Sequence, residues 1–144
     1  YLAGTTGYYD IQGTLTVTTY PNGYDTFWQG RRIFFCGDYL YPFMVDRLNA
    51  QYAKLGAMGA DCALTFTPLN RNALYPEQTE EYFDDFQQYL ADNMNIAILG
   101  DVRENILDPA VFYDDDYHLA SPARAEYTAR LADELNEYFT TAEE

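Results

Sequence analysis

From Tyr41 onward the spacing of the apolar residues switches repeatedly, and that alternation constrains the fold more tightly than any single motif. Met44, Leu48, Tyr52 and Leu55 recur at three- and four-residue steps with Gly56 behind them as a stop, which predicts an amphipathic helix. Asp61 to Thr67 is a compact apolar run ending at Pro68 and the polar turn Asn70-Arg71-Asn72, and it reads as a strand. A second helix is predicted from about Glu77 to Asn93, with Phe83, Phe86, Tyr89 and Leu90 on one face. Asn95 to Gly100 is a short buried strand leading to Asp101, and a long loop then carries Phe112 to His118. The last helix opens with Ser121 as N-cap and Pro122 at the first position, and turns Thr128, Leu131, Leu135 and Tyr138 inward.

The order helix, strand, helix, strand, helix predicts an α/β fold: parallel strands joined by right-handed crossovers, with helices covering the sheet. The N-terminal part differs in character. Thr14 to Tyr20 is β-branched and alternating and runs into Pro21-Asn22-Gly23 and then Tyr24 to Trp28, which predicts a β-hairpin. Arg32 to Cys36 is a further short apolar run, ending at Gly37-Asp38, and is expected to be a strand. With no internal repeat, low-complexity tract or linker, residues 1–144 read as a single domain, with a β-rich hairpin region over 1–37 and an α/β part over 38–144.

Composition bounds the function. No apolar stretch is long enough to cross a bilayer, so no membrane contact is expected from this segment. The 23 acidic and 8 basic side chains give a formal charge of −15, which repels phosphate backbones and anionic lipid, so nucleic acid is not expected as a partner. Two cysteines, Cys36 and Cys62, without CxxC spacing and with one histidine, do not make a zinc site and are expected to be buried free thiols, with a disulfide between them as the alternative. Asp114, Asp115 and Asp116 lack the alternating ligands and glycine turn of a calcium loop, so neither a metal nor a cofactor is expected. The chain opens at Tyr1 with neither an initiator methionine nor a leader, so further sequence upstream is expected.

In open α/β sheets ligands bind beyond the carboxyl ends of the strands. Two segments fall there, Pro68 to Asn72 and Asp101 onward, and the loop from the second carries His118, the single histidine of the chain. A carboxylate three or four residues before a histidine can fold back onto the imidazole, which points to Asp115 or Asp114. The competing reading is a solvated acidic loop with His118 capping a helix. Asn70 and Arg71 stand where they can donate to an oxyanion or a substrate carbonyl, or they form a polar turn in which Asn70 bonds its own backbone.

The segment Phe112-Tyr-Asp-Asp-Asp-Tyr-His118-Leu119, followed by a helix rich in Ala, Arg, Thr and Leu, is similar to the terminal Asp-x-x-His block of SGNH (GDSL-like) hydrolases. Thr67-Pro-Leu-Asn-Arg71 resembles the strand-end Pro-x-Asn-Arg stretch of a membrane-anchored bacterial branch of that superfamily. The likeness spans about residues 40 to 140. It implies the C-terminal half of a doubly wound, flavodoxin-like parallel sheet, and esterase or acetyl-transfer chemistry on a sugar or cell-wall polymer ester. His118 would take the proton from a serine, and a carboxylate would fix its tautomer. The general Asp-x-x-His spacing selects Asp115, whereas the Phe-Tyr-Asp pattern of the bacterial branch selects Asp114. The resemblance further implies an extracytoplasmic domain, tethered by a segment outside this sequence.

Two departures qualify it. The single serine, Ser121, lies three residues past His118 at a helix start, so the Gly-Asp-Ser nucleophile block has no match. Ile33 to Tyr39 resembles that block with Tyr39 in the serine position; either alignment leaves the chain without a serine nucleophile, and it is expected to be inactive alone. Where the family carries Gly and an Arg-Thr pair in the last helix, this chain has Ala123 and Tyr127-Thr128. The alternative reading is a degenerate, non-catalytic module that is structural or binds carbohydrate by stacking Trp28 and the hairpin tyrosines on sugar rings. An exposed sheet edge would allow self-association.

Overall fold

The computed structural model describes residues 7–9, 15–17, 33–112 and 116–141. It is mixed α/β: helices α1 (Pro42–Ala57), α2 (Glu80–Asn93) and α3 (Ser121–Thr141), with short strands β1 (Gly7–Tyr9), β2 (Leu15–Val17), β3 (Ala63–Leu64), β4 (Leu69–Asn70), β5 (Ala97–Ile98) and β6 (Ile106–Leu107). Two compact units interleave along the chain. One comprises residues 34–66 and 76–104; the other comprises 1–33, 67–75 and 105–144.

In the first unit, α2 places Phe83, Phe86 and Leu90 at positions i, i+3 and i+7, and all three are buried, as their spacing predicts. Phe35 packs on Phe83 and Phe86 at ring-centroid distances of 5.8 and 5.1 Å, and Phe66 reaches Phe86 at 6.3 Å. Strand β3 pairs with β5 in parallel, Ala63 opposite Ala97 and Leu64 opposite Ile98, so the expected parallel connection through α2 is present. Arg103 fastens the turn after β5 to the start of α2, reaching Asp84 at 2.8 Å and Glu80 at 3.1 Å while also gripping Asp101. The hydrogen bonds from Arg103 hold the Asp101 carboxyl below its ordinary range.

Three expectations for this unit are corrected. Beyond Ile33, Phe34 to Cys36 form no strand, because side chains take their backbone groups: Phe35 N–H donates to Gln78 Oε1 (2.8 Å), and Gly37 N–H donates to Asp85 Oδ2 (2.9 Å). Gly37 is buried so closely on α2 that a Cβ there would stand 2.9 Å from Tyr89 Cβ, so close approach is what requires glycine here. Helix α1 runs through Gly56 to Ala57, and the glycine that stops it is Gly59, whose φ of +83° admits glycine without strain. Gly59 N–H bonds Gly56 O and Ala60 N–H bonds Leu55 O, which together form a Schellman stop. Finally, the periodic face of α1 is not buried: Met44, Leu48 and Leu55 are exposed, and Val45 alone of the helix is buried.

Both thiols are free, Cys36 buried and Cys62 half-buried. Burial pushes the Cys36 thiol up from its ordinary value, and the neighbouring Asp85 carboxylate acts in the same direction.

In the second unit, β4 pairs in parallel with β6, Leu69 opposite Ile106 and Asn70 opposite Leu107. The strand expected over 61–67 is shortened to β3, and β4 is a further strand beyond Pro68, whose missing N–H cannot serve a ladder. Ile33 bridges to Leu74 through N–H bonds in both directions, 2.8 Å to Ala73 O and 3.0 Å from Tyr75 N. Leu69, Ala73, Ile106, Phe112, Leu119 and Ala120 form the buried core. On α3, Leu131, Leu135 and Tyr138 are half-buried and Thr128 is exposed; Ser121 is already helical, one residue inside the expected cap. Strand β2 falls within the predicted run, but its described partner is β1, which precedes it. The Pro21-Asn22-Gly23 turn and the Tyr24 to Trp28 strand lie outside the described residues. No described helix is long and apolar enough to cross a membrane.

Candidate functional site

The site forms within the second unit, where the end of β4 meets the loop that carries His118. Asn70 closes β4 and is fully buried. Its side-chain oxygen accepts from Asn72 N–H at 2.9 Å, which starts the 3-10 turn Arg71–Ala73. That bond identifies the other side-chain atom as the amide nitrogen, and Nδ2 is buried without a hydrogen-bond partner among the described residues. Leaving a buried donor unpaired costs about 1–3 kcal/mol, so the position is expensive unless something outside the described residues accepts from it. Arg71, next in the chain, is exposed.

Two tethers hold the acidic loop. At its base Phe112 and Leu119 form an antiparallel bridge, and Ala120 N–H donates to Val111 O at 2.9 Å. Phe112, Leu119 and Ala120 are all buried, so both ends of the loop are anchored in the core. Further along, Asn70 N–H donates to the backbone carbonyl of Asp116 at 2.9 Å. The loop thus alternates from buried Asp116, through exposed Tyr117 and His118, to buried Leu119. His118 therefore projects to solvent from a backbone fixed on either side, two residues from the tether to Asn70.

The sequence-derived site residues divide as follows. The structure brings Asn70 and the His118 loop together, and it places Arg71 on the surface beside Asn70. Asp114 and Asp115 lie outside the described residues. Asp116, the third acid of the triplet, emerges as a structural member: it is buried, and its carbonyl holds the β4 end. Its burial is not legible in a run of three identical residues. Of the two readings of Asn70, the polar turn is present, and the unpaired Nδ2 remains available as a donor.

Along α3, where the resemblance expects an arginine, Tyr127 lines an open cavity of about 290 Å³ together with Leu107, Val111 and Arg130. The Arg130 guanidinium lies 5.4 Å from the Tyr127 ring centroid and donates to Asn105 Oδ1 at 2.6 Å. Burial pushes the Tyr127 phenol up from its ordinary value. Among the described residues no group of three or more His, Cys, Asp and Glu side chains is placed to hold a metal ion. Against known proteins, the chain matches no family model, no curated protein and no solved structure.

Chemically, the arrangement offers an exposed imidazole able to accept or return a proton, a buried amide donor and an exposed guanidinium. The sole serine of the chain, Ser121, stands in the first turn of α3, three residues past His118.

Proposed function

We propose that the chain is the C-terminal half of an SGNH-like esterase or acetyl-transfer hydrolase, carrying the Asp-His part of the active site. One observation supports this above the rest. Asn70, which its strand-end position suits to donate to an oxyanion or substrate carbonyl, is bonded through its backbone to the loop bearing His118 and keeps a buried side-chain amide with no partner among the described residues. His118 is the general base, oriented by Asp115 or Asp114; Asn70 and Arg71 hold the carbonyl of the substrate. The finer fold belongs to the same reading: a partial doubly wound, flavodoxin-like sheet, supported by the parallel sense of β3 with β5 and of β4 with β6. The substrate is a sugar or cell-wall polymer ester, and the setting is extracytoplasmic, with a membrane tether outside this sequence. The single serine at the start of α3 favours a second reading, a degenerate module that binds carbohydrate or is structural.

Because the nucleophile is missing, the chain is expected to bind but not to turn over. Titrating a sugar acetate into isotope-labelled protein should shift the Asn70 side-chain amide and the His118 imidazole together and saturably, with p-nitrophenyl acetate hydrolysis at the uncatalysed rate. Shifts in neither group would remove the site. Turnover lost in His118→Ala would show that a nucleophile is present after all.

A further inference from the structure

Ten large apolar side chains stand exposed among the described residues, and six of them lie between Tyr41 and Met58, on α1 and its two flanking residues. Five of those six, Tyr41, Met44, Leu48, Leu55 and Met58, fall at steps of three and four once Gln51 is counted between Leu48 and Leu55. That is the 3.5-residue period of a coiled-coil seam, with Tyr41, Leu48 and Leu55 at a and Met44, Gln51 and Met58 at d. The seam residues among the six are between 44% and 82% exposed. A helix of this length does not persist on propensity alone, and α1 is held from behind and at its end. Val45 is buried, Asn49 bonds both Asn93 O and Asn95 N–H at 2.8 Å, and the Schellman turn closes its C-terminus. Within α1 the seam is thus formed by Met44, Leu48 and Leu55, with the cap residues Tyr41 and Met58 flanking it at either end, and all five side chains are exposed.

The flanks say what fits it. In this register the e positions are Val45, which is buried, and Tyr52, which is half-buried, so that flank faces the protein. The g positions are Arg47 and Lys54, both exposed and both without a carboxylate partner among the described residues. In a chain of formal charge −15 with 8 basic residues, two of them border this one apolar stripe. A second copy docking antiparallel would set Arg47 of one protomer against Lys54 of the other, which is repulsive. An anionic membrane would attract the two cations but meet the strongly negative remainder of the chain. A helix with leucine-like residues at a and d and carboxylates on its flank satisfies both the seam and the cations.

We propose that α1 is a docking surface for an acidic amphipathic helix of a partner protein, seated on Tyr41, Met44, Leu48, Leu55 and Met58 and held in register by Arg47 and Lys54. The test uses two fluorescent three-heptad peptides with leucine at a and d, one with glutamate at e and g and the other with lysine there. The glutamate peptide should bind at least about tenfold more tightly than the lysine peptide at low salt, and the difference should shrink as salt rises. Leu48→Lys with Leu55→Lys should abolish binding while leaving the far-ultraviolet dichroism unchanged, since both side chains are exposed. Arg47→Glu with Lys54→Glu should reverse the preference between the peptides. Equal binding of the two peptides, or binding of neither, would overturn the proposal. So would sedimentation showing a dimer that Leu48→Lys dissociates, or uptake by phosphatidylserine vesicles in place of the peptide.

Discussion

Phe112→Ala should cost about 3–5 kcal/mol of stability, the range for emptying a fully buried aromatic site. Phe112 has no exposed surface, bridges to Leu119, and donates its N–H to Pro109 O at 3.2 Å. It is therefore the point at which the core of its unit grips the His118 loop. Deleting the ring removes dispersion contacts on every side and frees the loop at its base, so loss of stability and loss of the His118 setting should coincide. Urea unfolding of the variant, with Thr128→Ala as an exposed control expected to stay within about 0.5 kcal/mol, provides the measurement. A cost near that of the control would mean that Phe112 is not in a packed core and that the loop is not anchored there.

Asn70→Asp carries the second large effect, and its sign depends on pH. The substitution keeps the shape of the side chain but puts a carboxylate in a fully buried position where Asn72 N–H is the one donor to it among the described residues. Burial disfavours the charged form, so the folded-state pKa of the new acid should lie above its unfolded value of about 3.9. The penalty is then present in full above the folded pKa and fades as pH falls toward the unfolded value. At pH 7 the variant should lose about 3–5 kcal/mol, the range for an uncompensated buried charge, and it should approach the parent near pH 4. Paired urea titrations at the two pH values test this. A variant as stable as the parent at pH 7 would mean that the end of β4 is open to water, and the buried amide would no longer be a reason to place a substrate there.

What the sequence made legible depended on whether one signal decided the outcome. For α2 it did: Phe83, Phe86 and Leu90 are periodic, and the same periodicity is what Phe35 and Phe66 bury. For α1 it did not, because period reports that one face is apolar and is silent on what covers it; Met44, Leu48 and Leu55 remain exposed. The stop of α1 was misplaced for a similar reason. Gly56 and Gly59 are equivalent as letters, and the left-handed backbone of Gly59 is a property of the turn. Arg32 to Cys36 has strand composition, but Gln78 and Asp85, more than 40 residues away, take the backbone donors of Phe35 and Gly37.

At the site, the approach of Asn70 to the histidine loop was legible from one rule, that strand ends in α/β sheets gather functional loops. Its burial was not, since a polar residue after a strand reads as a surface turn. Nor was the division of labour in Asp114-Asp115-Asp116, where three identical letters hide a buried member that holds β4 through its carbonyl.

Because His118 is the single histidine, its ring nitrogens can be observed without ambiguity by nitrogen-15 NMR. If a carboxylate orients this imidazole for proton transfer, the neutral ring should be held as the Nδ1–H tautomer. Asp115→Asn or Asp114→Asn, whichever is the partner, should then release it. A ring that shows the Nε2–H form preferred by free imidazole, unchanged in both variants, would contradict the hydrolase reading.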